Sequence, residues 1–257
     1  MTSLVSVIVL LGVLIFVHEF GHFLAARIGG VGVLKFSLGF GPKIIGKKIG
    51  ETEYVLSCIP LGGFVKLLGE SDGESLAPED EKRSFSKQPV WKRMLIVFAG
   101  PCFNFLLAIL IFVVIFIYGV PNLTADIGEI QKESAASAAG LQPGDKIISI
   151  DGKTISGWGD VRVIIAEGKG KEVEIVVERG MEKKSISITP RLAKSKNVFG
   201  EEIPSYLIGI SPSGKVALER KNPWDALLAA GEKTWEISKL TVVALVKMLE
   251  GTISPRT

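Results

Sequence analysis

Cysteine is nearly missing from this chain. Its 257 residues include two, Cys58 and Cys102, in unlike contexts that suggest no disulfide framework. Histidine is as rare, again with two copies. Charge of one sign is also lacking: 30 Lys and Arg against 27 Asp and Glu leave a net charge of +3, which argues against a nucleic-acid binder. Neither nucleic acid nor nucleotide is expected as a partner. There is no internal repeat and no long low-complexity tract. No basic segment precedes the first apolar run, and no small-x-small cleavage site follows it cleanly, so a cleaved signal peptide fits poorly. What abounds is apolar side chain, 47% of residues with a mean hydropathy of +0.38, and that points to membrane segments.

Residues 3–28 are long enough to cross a hydrocarbon core of roughly 30 Å. A Gly-punctuated segment follows, where alternation in "VLKFSL", "TEYVLSC" and "FVKLL" predicts short strands and hairpins. It is too apolar for a plain surface loop, so it is expected against the membrane or dipping into it. An acidic, polar connector leads to "LIVFAGPCFNFLLAILIFVVIFIY", residues 95–118, which carries no charged residue and is the strongest transmembrane candidate. Residues 124–190 then alternate like a compact, mostly β domain, with an Asp-Gly hairpin signal in "SIDGKTI" and a short helix in "VRVIIAEG". The expected organisation is a first transmembrane helix (1–30), a membrane-associated β-hairpin segment (31–70), a polar connector (71–92) and a second transmembrane helix (93–119). After them come the compact domain (124–190), a linker (191–222), a third, transmembrane helix (223–250) and a terminal segment (251–257). Arg27, Lys35, Lys43, Lys47, Lys48, Lys66, Lys92 and Arg93 all lie between the first two spans. The positive-inside rule puts that segment in the cytoplasm, and the N-terminus and the compact domain on the opposite side.

The stretch "FVHEFGHFLA", residues 16–25, sits inside the first span. Four residues apart, His18 and His22 share one helix face. That spacing lets two imidazoles grip one Zn²⁺ while Glu19 stands beside it as general base for attack of water on a peptide carbonyl. Ionisable residues at such a depth cost at least ~3 kcal/mol each and are functional by default. A polar helix end snorkelling to the interface would explain Arg27, but not His-Glu-His at metal spacing.

Taken with "PLGGFVKLLGE", "FAGPCFNFLLA" and "AGLQPGDKIISIDG" in this order, "HEFGHFLAAR" resembles the site-2 protease family of intramembrane zinc metalloproteases, in particular its bacterial regulators of sigma-factor signalling. The resemblance implies a polytopic α-helical membrane protein with a membrane-associated β element and an inserted α+β PDZ-like domain, set in the bacterial cytoplasmic membrane. It implies Zn²⁺ held by His18 and His22 toward the cytoplasmic side, Glu19 as catalytic acid/base, and single-span membrane proteins as substrates. Gly100, Pro101, Asn104 and Phe105 match the family's second-span motif, and Asn104, Gly100 and Pro101, with Gly62 and Gly63 of the β element, would hold the substrate. Asn104 could instead be a polar packing residue bonding across helices. "AGLQPGD" is first a turn packed on a strand, and only second a carboxylate site. The domain around it would gate large substrates rather than bind tails.

One feature departs from the family. Its third ligand is an aspartate in an L-D-G-type motif on a later span, and the chain contains no such motif. A C-terminally truncated chain with two protein ligands is expected to bind zinc weakly and to be inactive. A non-catalytic, membrane-tethered PDZ-type binding protein is the competing expectation.

Overall fold

The computed structural model describes residues 2–71, 77–197 and 201–251. The chain divides into two compact units, residues 1–112 and 113–257. Helix α1, Thr2–Ile28, opens the first. It is followed by two long strands, β1 (Val33–Ile49) and β2 (Thr52–Leu67), and then by a short 3₁₀ turn at Glu81–Arg83. Helix α2, Val90–Tyr118, runs from the first unit into the second. Both helices are long and apolar enough to cross a membrane, over Val5–Ile28 and Val90–Tyr118. Their outward side chains, among them Leu10, Phe98, Leu106 and Leu110, are exposed, a surface that suits lipid and not water.

Where short hairpins were expected, the β segment is two continuous strands that bend back on one another. The first half of β1 is flanked on both sides by β2: Phe36 pairs with Val65 on one side and Tyr54 on the other. The distal half of β1 pairs antiparallel with the start of β2, as in Ile45 with Leu56. Residues 63–67 of β2 therefore form an edge, with partners only in 33–38. Thr52, fully buried, ties the turn back by donating to the Val33 carbonyl at 2.7 Å. Aromatic rings lock α1 onto this sheet, with Phe23 edge-on to both Phe36 and Tyr54. Ala26, Val31, Val33, Leu67 and Ile96 close a small apolar core at the end of α1. Arg83 binds the Glu51 carboxylate, pinning the expected connector to the sheet.

The second unit carries β3 (Val120–Leu123), β4 (Ile127–Ile130), the single-turn helix α3 (Ala135–Ala138), β5 (Lys146–Ile150) and β6 (Lys153–Thr154). Helix α4 (Trp158–Glu167), β7 (Val173–Arg179) and β8 (Glu182–Ile188) follow. Then come β9 (Arg191–Lys196), β10 (Glu202–Leu207), β11 (Ile210–Pro212), β12 (Val216–Glu219) and helix α5 (Pro223–Leu249). A four-stranded sheet in the order β6-β5-β7-β8 supplies Ile147, Ile150, Ile175 and Val177 to a core closed by Val161 and Ile165 of α4.

One expectation needs correction here. Residues 191–222 are not a linker: β9 pairs with β10, β11 with β4, and β12 with β3, and Ile208 belongs to the core. β9 and β10 form a local hairpin, whereas β11 and β12 are too short to show a pattern and depend on β4 and β3 far back in the chain. Residues 223–250 were expected to form a third helix, spanning or interfacial. Helix α5 forms, capped by the Asn222 side chain accepting from the Asp225 amide at 2.9 Å, but it is not among the helices apolar enough to span. Glu232, Lys233, Glu236 and Lys239 interrupt its middle turns. The expected terminal segment lies outside the described residues beyond Gly251.

The turn "AGLQPGD" is fastened by Asp145, whose side chain is 1% exposed. Arg179 meets both its oxygens at 2.7 Å, and the Gln142 amide donates to it at 2.9 Å. Burial pushes this carboxyl up, but the Arg179 and Gln142 bonds outweigh it and hold it below the ordinary carboxylate range. A depressed folded-state value stabilises at pH above the unfolded value near ~3.9 and is lost as pH falls through the folded one. Asp145→Ala should lower the stability of the second unit by about 1–3 kcal/mol at neutral pH, because the Gln142 amide loses its acceptor and the turn its tie to Arg179. The difference from wild type should shrink as pH falls through the folded-state value. Hydrogen exchange of the Ile147 and Ile175 amides in the full chain measures it.

Candidate metal centre

Histidines on an apolar helix need partners, and α2 supplies them. The two helices approach closely because Gly21 has no side chain: a β-carbon there would lie 2.5 Å from the Ala99 carbonyl oxygen. Small residues at such a crossing let backbones touch. The contact brings the Ile96 carbonyl within 2.7 Å of His22 Nδ1. A carbonyl can only accept, so Nδ1 carries the proton and Nε2 keeps its lone pair. His18 Nε2 lies 3.2 Å from His22 Nε2, with the rings nearly perpendicular at 80°. Two nitrogens each about 2.05 Å from a tetrahedral zinc stand about 3.3 Å apart, so the spacing of this pair matches such an ion. The other ring nitrogen of His18, Nδ1, is 3.3 Å from the Asn104 side-chain amide.

Gly100 is buried directly against both ring nitrogens. A β-carbon at this position would stand 2.4 Å from His22 Nε2 and 2.8 Å from His18 Nε2. The absence of a side chain therefore leaves room for an ion between the imidazoles. Among the described residues, no group of three His, Cys, Asp or Glu side chains is arranged to hold a metal. His18 and His22 fit zinc as two ligands, and a third is not found within that set.

Glu19 borders a cavity beside the pair. With His22 it lines a cavity of about 250 Å³ whose other walls include Gly63, Phe64, Val65 and Val97. Gly63 sits against the carboxylate stem, since a β-carbon there would be 3.0 Å from Glu19 Cγ. The edge residues of β2 thus flank the candidate base. Gly62 has a different job: at φ +127° it lies under the Phe40 ring, where a side chain would collide. Pro101 and Phe105 are exposed and line no part of this cavity. The structure therefore gathers His18, Glu19, His22, Gly63, Gly100 and Asn104, and leaves Gly62, Pro101 and Phe105 outside. Sequence reasoning missed Gly21 and Ile96. A glycine inside an apolar helix, where it lowers helix stability, was a legible hint for the former. Ile96 acts through its main chain, which no residue type announces.

A family model described as Peptidase family M50 matches residues 6–257. A Mesorhizobium japonicum protein named "Putative zinc metalloprotease mll0638" is 35% identical over 254 residues, covering 93% of this chain and 69% of its own. A Brucella suis protein named "Putative zinc metalloprotease BR1156/BS1330_I1152" is 36% identical over 245 residues, covering 91% and 65%. "Metalloprotease MmpA" of Caulobacter vibrioides is 31% identical over 267 residues, covering 96% and 67%. The chain spans about two thirds of the length of these curated relatives. Among solved structures, the PDZ domain of an SdrC-like protein from Listeria monocytogenes is similar over 35% of this chain and 84% of its own, at 20% identity and a TM-score of 0.27, too low to carry an argument.

Gly100→Ala should weaken zinc binding by about tenfold or more, because the methyl group displaces His22 from its carbonyl partner. Gly12→Ala, with nothing within 4 Å of the new carbon, should leave it unchanged. Competition with a chromophoric chelator reads both.

Proposed function

Since the chain belongs to peptidase family M50, we propose that it acts as an intramembrane zinc metalloprotease. Its substrates would be single-span membrane proteins such as anti-sigma factors or remnant signal peptides, cut within their transmembrane segments. The observation that carries this reading is the imidazole pair, 3.2 Å apart at Nε2, within a helix apolar enough to span a membrane.

His18 and His22 would hold the ion. When bound, zinc supplies a Lewis acid that activates water and polarises a carbonyl. Glu19 takes a proton from the attacking water and returns it to the leaving amine. The edge of β2 at 63–67 receives the substrate as an added strand, since nothing else pairs with that side among the described residues. Strand addition suits this substrate class, because a transmembrane helix hides its scissile carbonyl in i→i−4 bonds. Unwinding frees those groups, and in lipid they must find partners at once. Gly63 keeps the edge close to Glu19, and Asn104 stands beside His18.

Lys43, Lys47 and Lys48 between α1 and α2, with Lys92 and Arg93 in the first turn of α2, support a cytoplasmic setting for that segment. The site would then lie toward the cytoplasmic side of the inner membrane, with the N-terminus and the PDZ-like unit outside, gating large substrates. A second reading, a tethered PDZ-type binding module without catalysis, draws support from the absence of a three-residue ligand group among the described residues.

The test is Glu19→Gln in the full chain, reconstituted in lipid with a single-span substrate. Cleavage should fall by about 10²–10⁴-fold with zinc content unchanged. A wild-type chain without zinc, or one matched in cleavage by Glu19→Gln, favours the binding module.

A further inference from the structure

The hydrogen bonds around the two imidazoles can be followed proton by proton. His22 Nδ1 donates to the Ile96 carbonyl, so its Nε2 is an acceptor. Without metal, a hydrogen bond across the 3.2 Å contact between the two Nε2 atoms puts the proton on His18 Nε2. With that proton in place His18 Nδ1 is bare, and it accepts from the Asn104 NH₂ at 3.3 Å. Four groups thus form one relay, Asn104 to His18 to His22 to Ile96. Its one loose end is the Asn104 Oδ1, which is buried without a partner, a condition that ordinarily costs about 1–3 kcal/mol.

This arrangement is the wrong one for holding a metal. A ligating His18 must offer a bare Nε2, and therefore carry its proton on Nδ1 facing Asn104. The NH₂ now aimed at Nδ1 cannot accept that proton, but the orphaned oxygen on the same amide can. The two ends of an amide are nearly equal in shape, so a half-turn exchanges them without repacking. One proton leaves Nε2 and one arrives on Nδ1, with no change in net charge.

We propose that Asn104 is a positioning residue for zinc: rotation of its amide selects the His18 tautomer that can bind the ion. This rests on the metal-centre reading above, and gives Asn104 a role toward the metal beyond substrate holding. The half-turn also leaves the NH₂ where the unpartnered oxygen now points, as a free donor at the site.

The chain's two histidines make the test tractable, since nitrogen-15 labelling of histidine yields two ring systems. In the full chain in detergent, His18 should show its proton on Nε2 without metal and on Nδ1 with zinc, while His22 keeps Nδ1–H throughout. Asn104→Leu, similar in size but unable to accept, should weaken zinc binding about 10–100-fold. Asn104→Asp, which can only accept, should stay within about threefold of wild type or bind more tightly. Equal affinity for wild type and Asn104→Leu overturns the proposal, as does an Asn104→Asp variant as weak as Asn104→Leu. If His18 shows Nδ1–H in both states, the amide rotation is refuted. His22→Ala separates the two levels of the account. Zinc lost there but retained by Asn104→Leu removes only the Asn104 role, whereas a wild-type chain that binds no zinc removes the metal centre with it.

Discussion

The hydrogen bond from His22 to the main-chain oxygen of Ile96, 2.7 Å long, is the contact that makes the rest of the site coherent. A histidine in an apolar helix is expensive unless a partner takes its N–H. A carbonyl from the facing helix is an economical partner because it adds no charge and accepts without donating. That one-way character fixes which nitrogen of His22 faces His18. It also requires α2 to lie against α1 at short range, which Gly21 and Gly100 allow and larger residues would prevent. The packing of the two helices and the chemistry of the imidazoles are therefore one constraint.

Around that axis the first unit separates two jobs. The nitrogens face α2, while Glu19 faces the edge of the sheet through the cavity bounded by Gly63 and Val65. An edge strand is ordinarily an aggregation hazard. Here it lies beside a candidate general base, where an unpaired edge is what an unwound helix would need. The second unit is built on different physics, a conventional apolar core with a buried carboxylate–guanidinium pair fastening one turn. In it Arg179 and the Gln142 amide hold the Asp145 carboxyl below the ordinary carboxylate range.

The readable parts of this molecule were those set by local pattern. His18 and His22 are legible as one helix face by spacing, and the two long helices by length and apolarity, because a helix carries its own hydrogen bonds and needs no distant partner to be recognised. The strands at 191–219 were not readable, since β11 and β12 pair with β4 and β3 far back in the chain and have too few residues for their alternation to stand out. The fold-back of β2 on both sides of β1 was hidden for a similar reason: glycines at 39, 41, 62 and 63 read as turns between separate strands, whereas the backbone bends through them and stays paired. Asn104 was recognisable as a motif residue, but its contact with a histidine 86 positions away could not be read from the chain. Helix α5 is a different case, an apolar stretch carrying regular charges that is not among the helices long and apolar enough to span.

The central claim is that His18 and His22 together hold zinc between α1 and α2. X-ray absorption at the zinc edge, on the full chain in lipid, addresses it directly. The account predicts two imidazole scatterers with nitrogen at about 2.0–2.1 Å, oxygen or nitrogen completing the shell, and no sulfur. A shell without the imidazole multiple-scattering pattern, or one containing sulfur near about 2.3 Å, would contradict it.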